Sequence, residues 1–441
     1  MKLRTNLILA LLLLALAGFV YFYDIKGGEQ RVKNEESAKK LLALEADSVM
    51  AFSLQPAGIA FKKDAGKWRI VQPINYPADE TSVTSLLEGL ESAKRERDIA
   101  QDASTFATYG LAPAHRQILV THEGKRDTVY LGDKNTTSSY VYARVDGKPV
   151  VVLTEIALLN NSDKKLEDWR DKSLLKFDTG QVLGLSLHTP SLHFELHKEA
   201  GKWKLVHPLQ AEGDESKISQ ILSRLSYANV AGFVVEAMND GKTYGLDKPN
   251  YELRLTLGED SVQKIVQFGK RTSEGYYAHD PARPQVFLAD SSLVKELDVD
   301  LMHLRDKRLA GFESYRADYV SLQYPDTTII CEKDSAAQWQ ITAPQNKKAK
   351  SWKVSNITNT LAGLQAAEFV EKQAGDLDVY GLDNPRARIT VKEKGAELAQ
   401  VLLGNVKEDH VYAKAAGKAT IMLVKKEEAD RLLVKLSELI E

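Results

Sequence analysis

Apolar and polar positions along the chain change their period several times, and they do so in the same order three times over. In "SVMAFSLQ", "VLGLSLHT" and "DYVSLQYP" the two kinds of residue broadly alternate, which predicts half-buried strands. The runs that follow, "GIAFKKDAGKWRIVQP", "LHFELHKEAGKWKLVHP" and "TIICEKDSAAQWQITAP", predict further strands joined antiparallel through short turns. The period then lengthens. In "ADETSVTSLLEGLESAK", "GDESKISQILSRLSYAN" and "KSWKVSNITNTLAGLQA", apolar residues such as Val83, Leu86, Leu87 and Leu90 recur at the spacing of one helix face. Strand pairs return after it, "RQILVTHEGKRDTVYLG" and "SYVYARVDGKPVVVLT" in the first copy, before a closing helix such as "EIALLNNSDKKLEDW". This order predicts an α+β fold with antiparallel sheets and packed helices.

Single residues mark the same repetition. Trp68, Trp203 and Trp339 are each followed five residues later by Pro73, Pro208 and Pro344, and 41 residues later by the tyrosine of Tyr-Gly-Leu: Tyr109, Tyr244 and Tyr380. A glycine near the end of a strand-like run comes next, Gly132, Gly269 and Gly404. The chain of 441 residues is therefore expected to hold three tandem homologous domains, at 46–176, 177–313 and 314–441. Each copy has the size of a whole domain and far exceeds a solenoid repeat of about 20–50 residues.

Ahead of the first copy the pattern is different. Lys2 and Arg4 precede an uncharged run from Leu7 to Tyr23, about 17 residues and near the lower limit for crossing a bilayer as a helix. Residues 1–23 are read as a cytoplasmic tip and transmembrane anchor, and the polar stretch 24–45 as a linker, helical from Glu35 onward. The competing reading is a cleaved signal peptide, with "ALA" at 15–17 as its site. Tyr21 and Tyr23, which suit a membrane–water interface, favour the anchor. Basic residues at the start then hold it in the cytoplasm and put everything after Asp24 outside it, on a single span; a bacterial periplasm is a compartment that tolerates a protein without disulfides.

Composition narrows the classes further. Apolar residues make up 43% and charged residues 27%, a balance that supports packed cores and not disorder. Fifty-nine basic against sixty-one acidic residues leave a formal charge of −2, so nucleic acid is not an expected partner. Cys331 stands alone, which rules out an internal disulfide and a cysteine-ligated metal framework.

Candidate chemistry is tested by comparing the copies. Asp79 and Asp214, beside Glu80 and Glu215, could form carboxylate pairs for acid–base work, or could cap the helices that follow. The third copy has Lys350 and Ser351 there, of which Ser351 can still cap; capping is the reading adopted. Tyr-Gly-Leu is read as a loop that leads from the helix into the second set of strands, with a binding role for its tyrosines as the alternative. The tryptophans read as strand residues packed on the helix. "WRDKSLLKF" and "LRDKRLAGF" follow the first two copies, and Arg170, Asp171, Arg305 and Asp306 are expected to fix neighbouring copies at a set angle. In "HFELH", His193, Glu195 and His197 alternate onto one strand face with ligand chemistry that suits zinc. Their equivalents, counted from the tryptophans, are Gly58, Ala60 and Lys62, then Ile329, Cys331 and Lys333, so a solvated strand face is preferred. Cys331 reads as a packed thiol. No phosphate-binding loop, nucleophile elbow, His-Glu-x-x-His or calcium loop is present. No catalytic, cofactor-binding or metal-binding residue is assigned, and no cofactor is expected.

The anchor, the tryptophan with its proline, the "ADE" helix start, "YGLDxP" and the strand-ending "LG" together resemble a bacterial family catalogued as a domain of unknown function, number 4340. Unit three lacks the acidic helix start and unit one has "GLAP", departures that weaken any shared acidic site. The resemblance implies an envelope protein encoded beside ABC transporters of the gliding-motility type, and hence a transporter or other envelope complex as partner. The expectation is a non-enzymatic, membrane-anchored extracytoplasmic scaffold or accessory protein. A periplasmic glycan- or peptide-binding module is the alternative, with a hydrolase at a unit junction behind it.

Overall fold

The computed structural model describes residues 36–370 and 377–441. The expected anchor and cleavage site lie outside the described residues, and among those described no helix is long and apolar enough to cross a membrane. The chain forms two compact units, one ending at Ser173 and the other running from Leu174 to Glu441, which holds the second and third copies.

Each copy builds one nine-stranded antiparallel sheet. In the first these are β1 (Val49–Gln55), β2 (Ile59–Asp64), β3 (Lys67–Gln72), β4 (Tyr76–Pro77), β5 (Arg97–Ala100), β6 (Arg116–His122), β7 (Lys125–Lys134), β8 (Tyr140–Val145) and β9 (Val151–Glu155). Their order across the sheet is β4-β3-β2-β1-β6-β7-β8-β9-β5. The second copy starts with β10 (Val182–His188), β11 (His193–Glu199), β12 (Lys202–His207) and β13 (Ala211–Glu212). It continues with β14 (Gly232–Val235), β15 (Tyr251–Leu257), β16 (Val262–Arg271), β17 (Tyr276–His279) and β18 (Val286–Ala289). The third runs from β19 (Tyr319–Gln323), β20 (Thr328–Lys333), β21 (Trp339–Ala343) and β22 (Lys347–Lys348) to β23 (Ala366–Val370). It ends with β24 (Ala387–Glu393), β25 (Ala396–Lys407), β26 (His410–Ala415) and β27 (Ile421–Lys425), and both later sheets have the strand order of the first. The expected α+β class, antiparallel sheets and threefold repetition are all present.

Alternation decides which face is buried. Val49, Phe52 and Leu54 of β1, and Ile118 and Val120 of β6, turn inward. The long helix α1 (Glu80–Ser92) covers them with Val83, Leu86, Leu87 and Leu90. Its counterparts α2 (Glu215–Ser226) and α3 (Ser351–Gly363) cover the other two cores with Ile218, Ile221, Leu222 and Leu225, and with Val354, Ile357 and Leu361. Three leucines within the stretch read as linker, Leu41, Leu42 and Leu44, are buried in the first core.

Turns explain a difference in register. Ala65–Gly66 and Ala200–Gly201 both have positive φ at each residue, which matches the right-handed twist of a two-residue hairpin. The third copy spans the same gap with Asp334–Gln338, one residue longer between partners, because Lys333 pairs Trp339 where Lys63 pairs Trp68. Counting back from Trp339 therefore misassigns the third copy by one position. The structural equivalent of Glu195 is Ile330, paired with Ser321 and Ala343, whereas Cys331 points into the core.

Each copy is closed by the same backbone contacts. The N–H groups of Asp79, Asp214 and Lys350 donate to the carbonyls of Trp169, Leu304 and Leu439. Those of Asp171, Asp306 and Glu441 donate to Pro77, Glu212 and Lys348. The next segment opens the following copy at once: Leu174 N–H donates to Ala228 O, and Leu309 N–H to Leu364 O. Between the second and third copies there is no linker, since Asp306 is bonded to the second while the carbonyl of Lys307 accepts from Ala366 N–H of the third.

Candidate functional site

The three tryptophans have like surroundings. Each is buried, at 5%, 3% and 2% exposure, with a lysine ammonium (Lys63, Lys198, Lys333) 5.8, 5.9 and 5.1 Å from the ring centre. Their backbone carbonyls accept from Ala78, Gly213 and Ala349. Their N–H groups donate to Glu80 Oε1 at 2.9 Å, Glu215 Oε1 at 2.6 Å and Ser351 Oγ at 3.3 Å. The acidic residue after each cap thus has a structural task that the sequence did not disclose: it satisfies a strand donor from the first turn of the helix.

Asp79 and Asp214 are helix caps. Asp79 Oδ1 accepts from Ser82 N–H at 2.7 Å, and Asp214 Oδ1 from Lys217 N–H at 2.8 Å. The third helix lacks a side-chain cap at Lys350. Ser351, expected to cap, instead receives the Trp339 N–H, because it occupies the position of the glutamates and not that of the aspartates.

Tyr-Gly-Leu ends a short helical turn in each copy instead of lying in an open loop. Ala103–Tyr109, Gly241–Tyr244 and Leu377–Tyr380 stop where Gly110, Gly245 and Gly381 take φ of +67°, +70° and +67°, the left-handed conformation that glycine adopts without steric cost. Gly132, Gly269 and Gly404 press against this turn. A Cβ on them would lie 2.1, 2.1 and 2.2 Å from the carbonyl oxygen of Tyr109, Tyr244 and Tyr380. The three tyrosines are half-buried, and each meets a second one, Tyr142, Tyr277 or Tyr412, with ring centres 4.6, 5.1 and 5.0 Å apart.

Arg305 and Asp306 stand at the junction of the second and third copies. The Arg305 guanidinium carbon lies 3.6 Å from the centre of the Phe369 ring, close enough for a cation–π contact. Asp306 receives three hydrogen bonds from the Arg308 side chain and one from its backbone. Burial works to raise the Asp306 carboxyl, but these bonds and the charge of Arg308 hold it below the usual carboxylate range. A cleft of about 360 Å³ opens beside them, lined by Lys204, Glu212, Phe369, Lys418 and Met422 among others. Its charges are of both signs. Arg170 and Asp171 do the closing work in the first copy, Arg170 with its guanidinium carbon 4.4 Å from the centre of the Tyr76 ring.

His193, Glu195 and His197 share the outward face of β11, as their alternation predicts. Two more imidazoles join them from neighbouring strands. His188 pairs across from His193, and His207 across from Glu195. His207 reaches this face through a bulge: Leu196 pairs Leu205 while Glu195 pairs His207, so one extra residue reverses the alternation. The same irregularity occurs in β2–β3 and β20–β21. Ring centres lie 5.2 Å apart for His193 and His207, and 6.1 Å apart for His188 and His193. His193 Nε2 is 3.0 Å from Glu195 Oε1, a contact that holds the Glu195 carboxyl below its usual range, aided by the charges of His207 and His197. Among the described residues no three ligand-type side chains meet closely enough to hold a metal ion as they stand. Cys331 is buried, and burial pushes its thiol up to about 11.

Comparison with known proteins agrees with this internal repetition. No curated protein matches the chain. A family described as "Domain of unknown function (DUF4340)" matches residues 68–249, 203–336 and 339–441, each match beginning on one of the three buried tryptophans. The chain belongs to the DUF4340 family, with the family's domain recurring in all three copies.

Proposed function

We propose that the protein is a membrane-anchored, extracytoplasmic scaffold or accessory subunit without catalytic activity. On this reading its three copies dock on an envelope protein, and an ABC transporter is the partner that the family resemblance suggests. One observation carries the reading: the side chains repeated in two or in all three copies are engaged in the copy's own architecture. The tryptophans pack under a helix, the aspartates cap it, the glutamates take a strand N–H, and the glycines admit a carbonyl. What recurs is a shape, and the faces that differ between copies are left for partners. The run Leu7–Tyr23 supplies the anchor in this proposal, with the copies on the periplasmic side.

The test is crosslinking of the full chain in intact cells, followed by identification of peptides joined to its lysines. An ABC transporter subunit or another integral envelope protein joined to residues beyond Asp24 is the expected result. Release of the chain from membranes by alkaline carbonate, or crosslinks confined to cytoplasmic proteins, would overturn it. The half-exposed tyrosine pairs favour a second reading as a glycan- or peptide-binding module, and saturable binding of cell-wall fragments that is lost in Tyr244→Ala would support that one instead.

A further inference from the structure

Four of the nine histidines of the chain, His188, His193, His197 and His207, lie on the outward face of the second copy's sheet. We propose that His193, Glu195 and His207 form a binding site for a divalent transition ion of the zinc type, with His188 at its margin. Three arguments carry this.

The spacing suits one ion. Two imidazoles on a tetrahedral zinc, with Zn–N bonds of about 2.0–2.1 Å, have ring centres about 5 Å apart and ligand atoms about 3.3 Å apart. His193 and His207 have ring centres 5.2 Å apart, and His193 Nε2 lies 3.0 Å from Glu195 Oε1. The three groups do not yet converge. Glu195 and His193 are half-exposed and His207 is exposed, so side-chain rotation alone brings them together while the paired strands stay in place.

The donor set is chemically ready. Imidazole and carboxylate are borderline and hard ligands that suit zinc, nickel and copper. A cation on the same face, Lys204, lies 3.7 Å from Glu199 and 3.6 Å from Glu212. A further carboxylate, Glu252, is held by Arg254 at 2.8 Å and Gln267 at 2.8 Å.

The fold does not need these residues. By strand pairing, the positions of His193, Glu195 and His207 hold Gly58, Ala60 and Gln72 in the first copy, and Thr328, Ile330 and Ala343 in the third. The same bulged sheet forms three times, and the ligand set is written onto it once.

The experiment is a calorimetric titration of the untagged full-length protein in detergent with zinc chloride, paired with mapping of diethyl pyrocarbonate modification. One zinc binds the native protein and shields His193 and His207 from the reagent. His193→Asn and His207→Asn each weaken binding by about tenfold or more, a scale that even outer-shell substitutions reach. His303→Asn, which removes an exposed histidine paired with Asp300, leaves binding unchanged. Unaltered circular dichroism in all three variants separates ligand loss from unfolding. The proposal is overturned if the His193→Asn/His207→Asn double variant binds zinc as tightly as the native chain, or if zinc shields His303 as well as it shields His193.

Discussion

Gly269→Ala should damage the second copy out of proportion to the single carbon it adds. The backbone there is one that any residue can adopt, so the cost comes from contact alone. The new Cβ would lie 2.1 Å from Tyr244 O, 2.9 Å from Gly245 C and 3.0 Å from Gly245 O. An ordinary carbon–oxygen contact is about 3.3 Å or more, so strand and turn must separate by about 1 Å. Neither gives way freely. The turn is held by Leu246 N–H on Gly241 O at 2.8 Å, and Asn250 Nδ2 donates to Gly269 O at 3.1 Å. Overpacking against yielding neighbours costs about 1–3 kcal/mol, and against two tied backbones the upper end, about 3 kcal/mol, applies. For a unit of this size that is a fall in melting temperature of roughly 6–12 °C. Gly258→Ala is the control, because Gly258 has φ +60° and no heavy atom within 4 Å of an added Cβ. It incurs only left-handed strain, about 1–2 kcal/mol, partly offset by the stiffer unfolded chain. Thermal unfolding by circular dichroism, with peptide-resolved hydrogen exchange to assign the transition to the second copy, measures both. If Gly269→Ala melts no lower than Gly258→Ala, the close approach does not constrain the fold and the account of the repeated glycine fails.

Further outcomes follow from the same structure. Lys350→Asp should stabilise the third copy by about 1 kcal/mol, because it supplies the cap acceptor that Asp79 and Asp214 provide elsewhere; a denaturation midpoint that stays put or falls speaks against it. Cys331, its thiol pushed up to about 11 by burial, should resist iodoacetamide at about pH 8 in the native protein and react once denatured. Asp306 has a folded pKa below its unfolded one, so its contribution is present above the usual carboxylate value of about 3.9 and is lost as pH falls through the lower folded value. Protection of the amides of Asp306 and Ala366 against hydrogen exchange, taken relative to the intrinsic rate at each pH, should therefore fall below about pH 4, and Asp306→Asn should flatten that dependence while lowering stability near neutrality.

Much of the fold was legible because it rests on local periodicity. Alternation marked strands such as Val182–His188, helical spacing marked Val83, Leu86, Leu87 and Leu90, and Asp79 before them marked the helix start. What escaped depends on partners far along the chain. The two-residue edge strands Tyr76–Pro77, Ala211–Glu212 and Lys347–Lys348 are too short to show a period. Glu80 and Glu215 look like acidic first-turn residues, and only the folded sheet reveals the tryptophan N–H they serve. His207 was the least visible of all. Simple alternation from Trp203 and Leu205 would turn it inward, and the bulge that sends it outward beside Glu195 leaves no trace in polarity. The equivalence drawn to Cys331 failed for a related reason, since one added turn residue shifts every facing position by one.

The direct passage from Asp306 to Lys307 has a mechanical consequence. A tug on the third copy meets no slack before it reaches the second, because adjacent residues are gripped by different sheets. Load must pass straight into the closing strap beside Glu212, in the manner of a welded hinge, so the two copies would transmit torque where a tether would absorb it. Inserting a few glycines after Asp306 would uncouple them and leave each sheet whole.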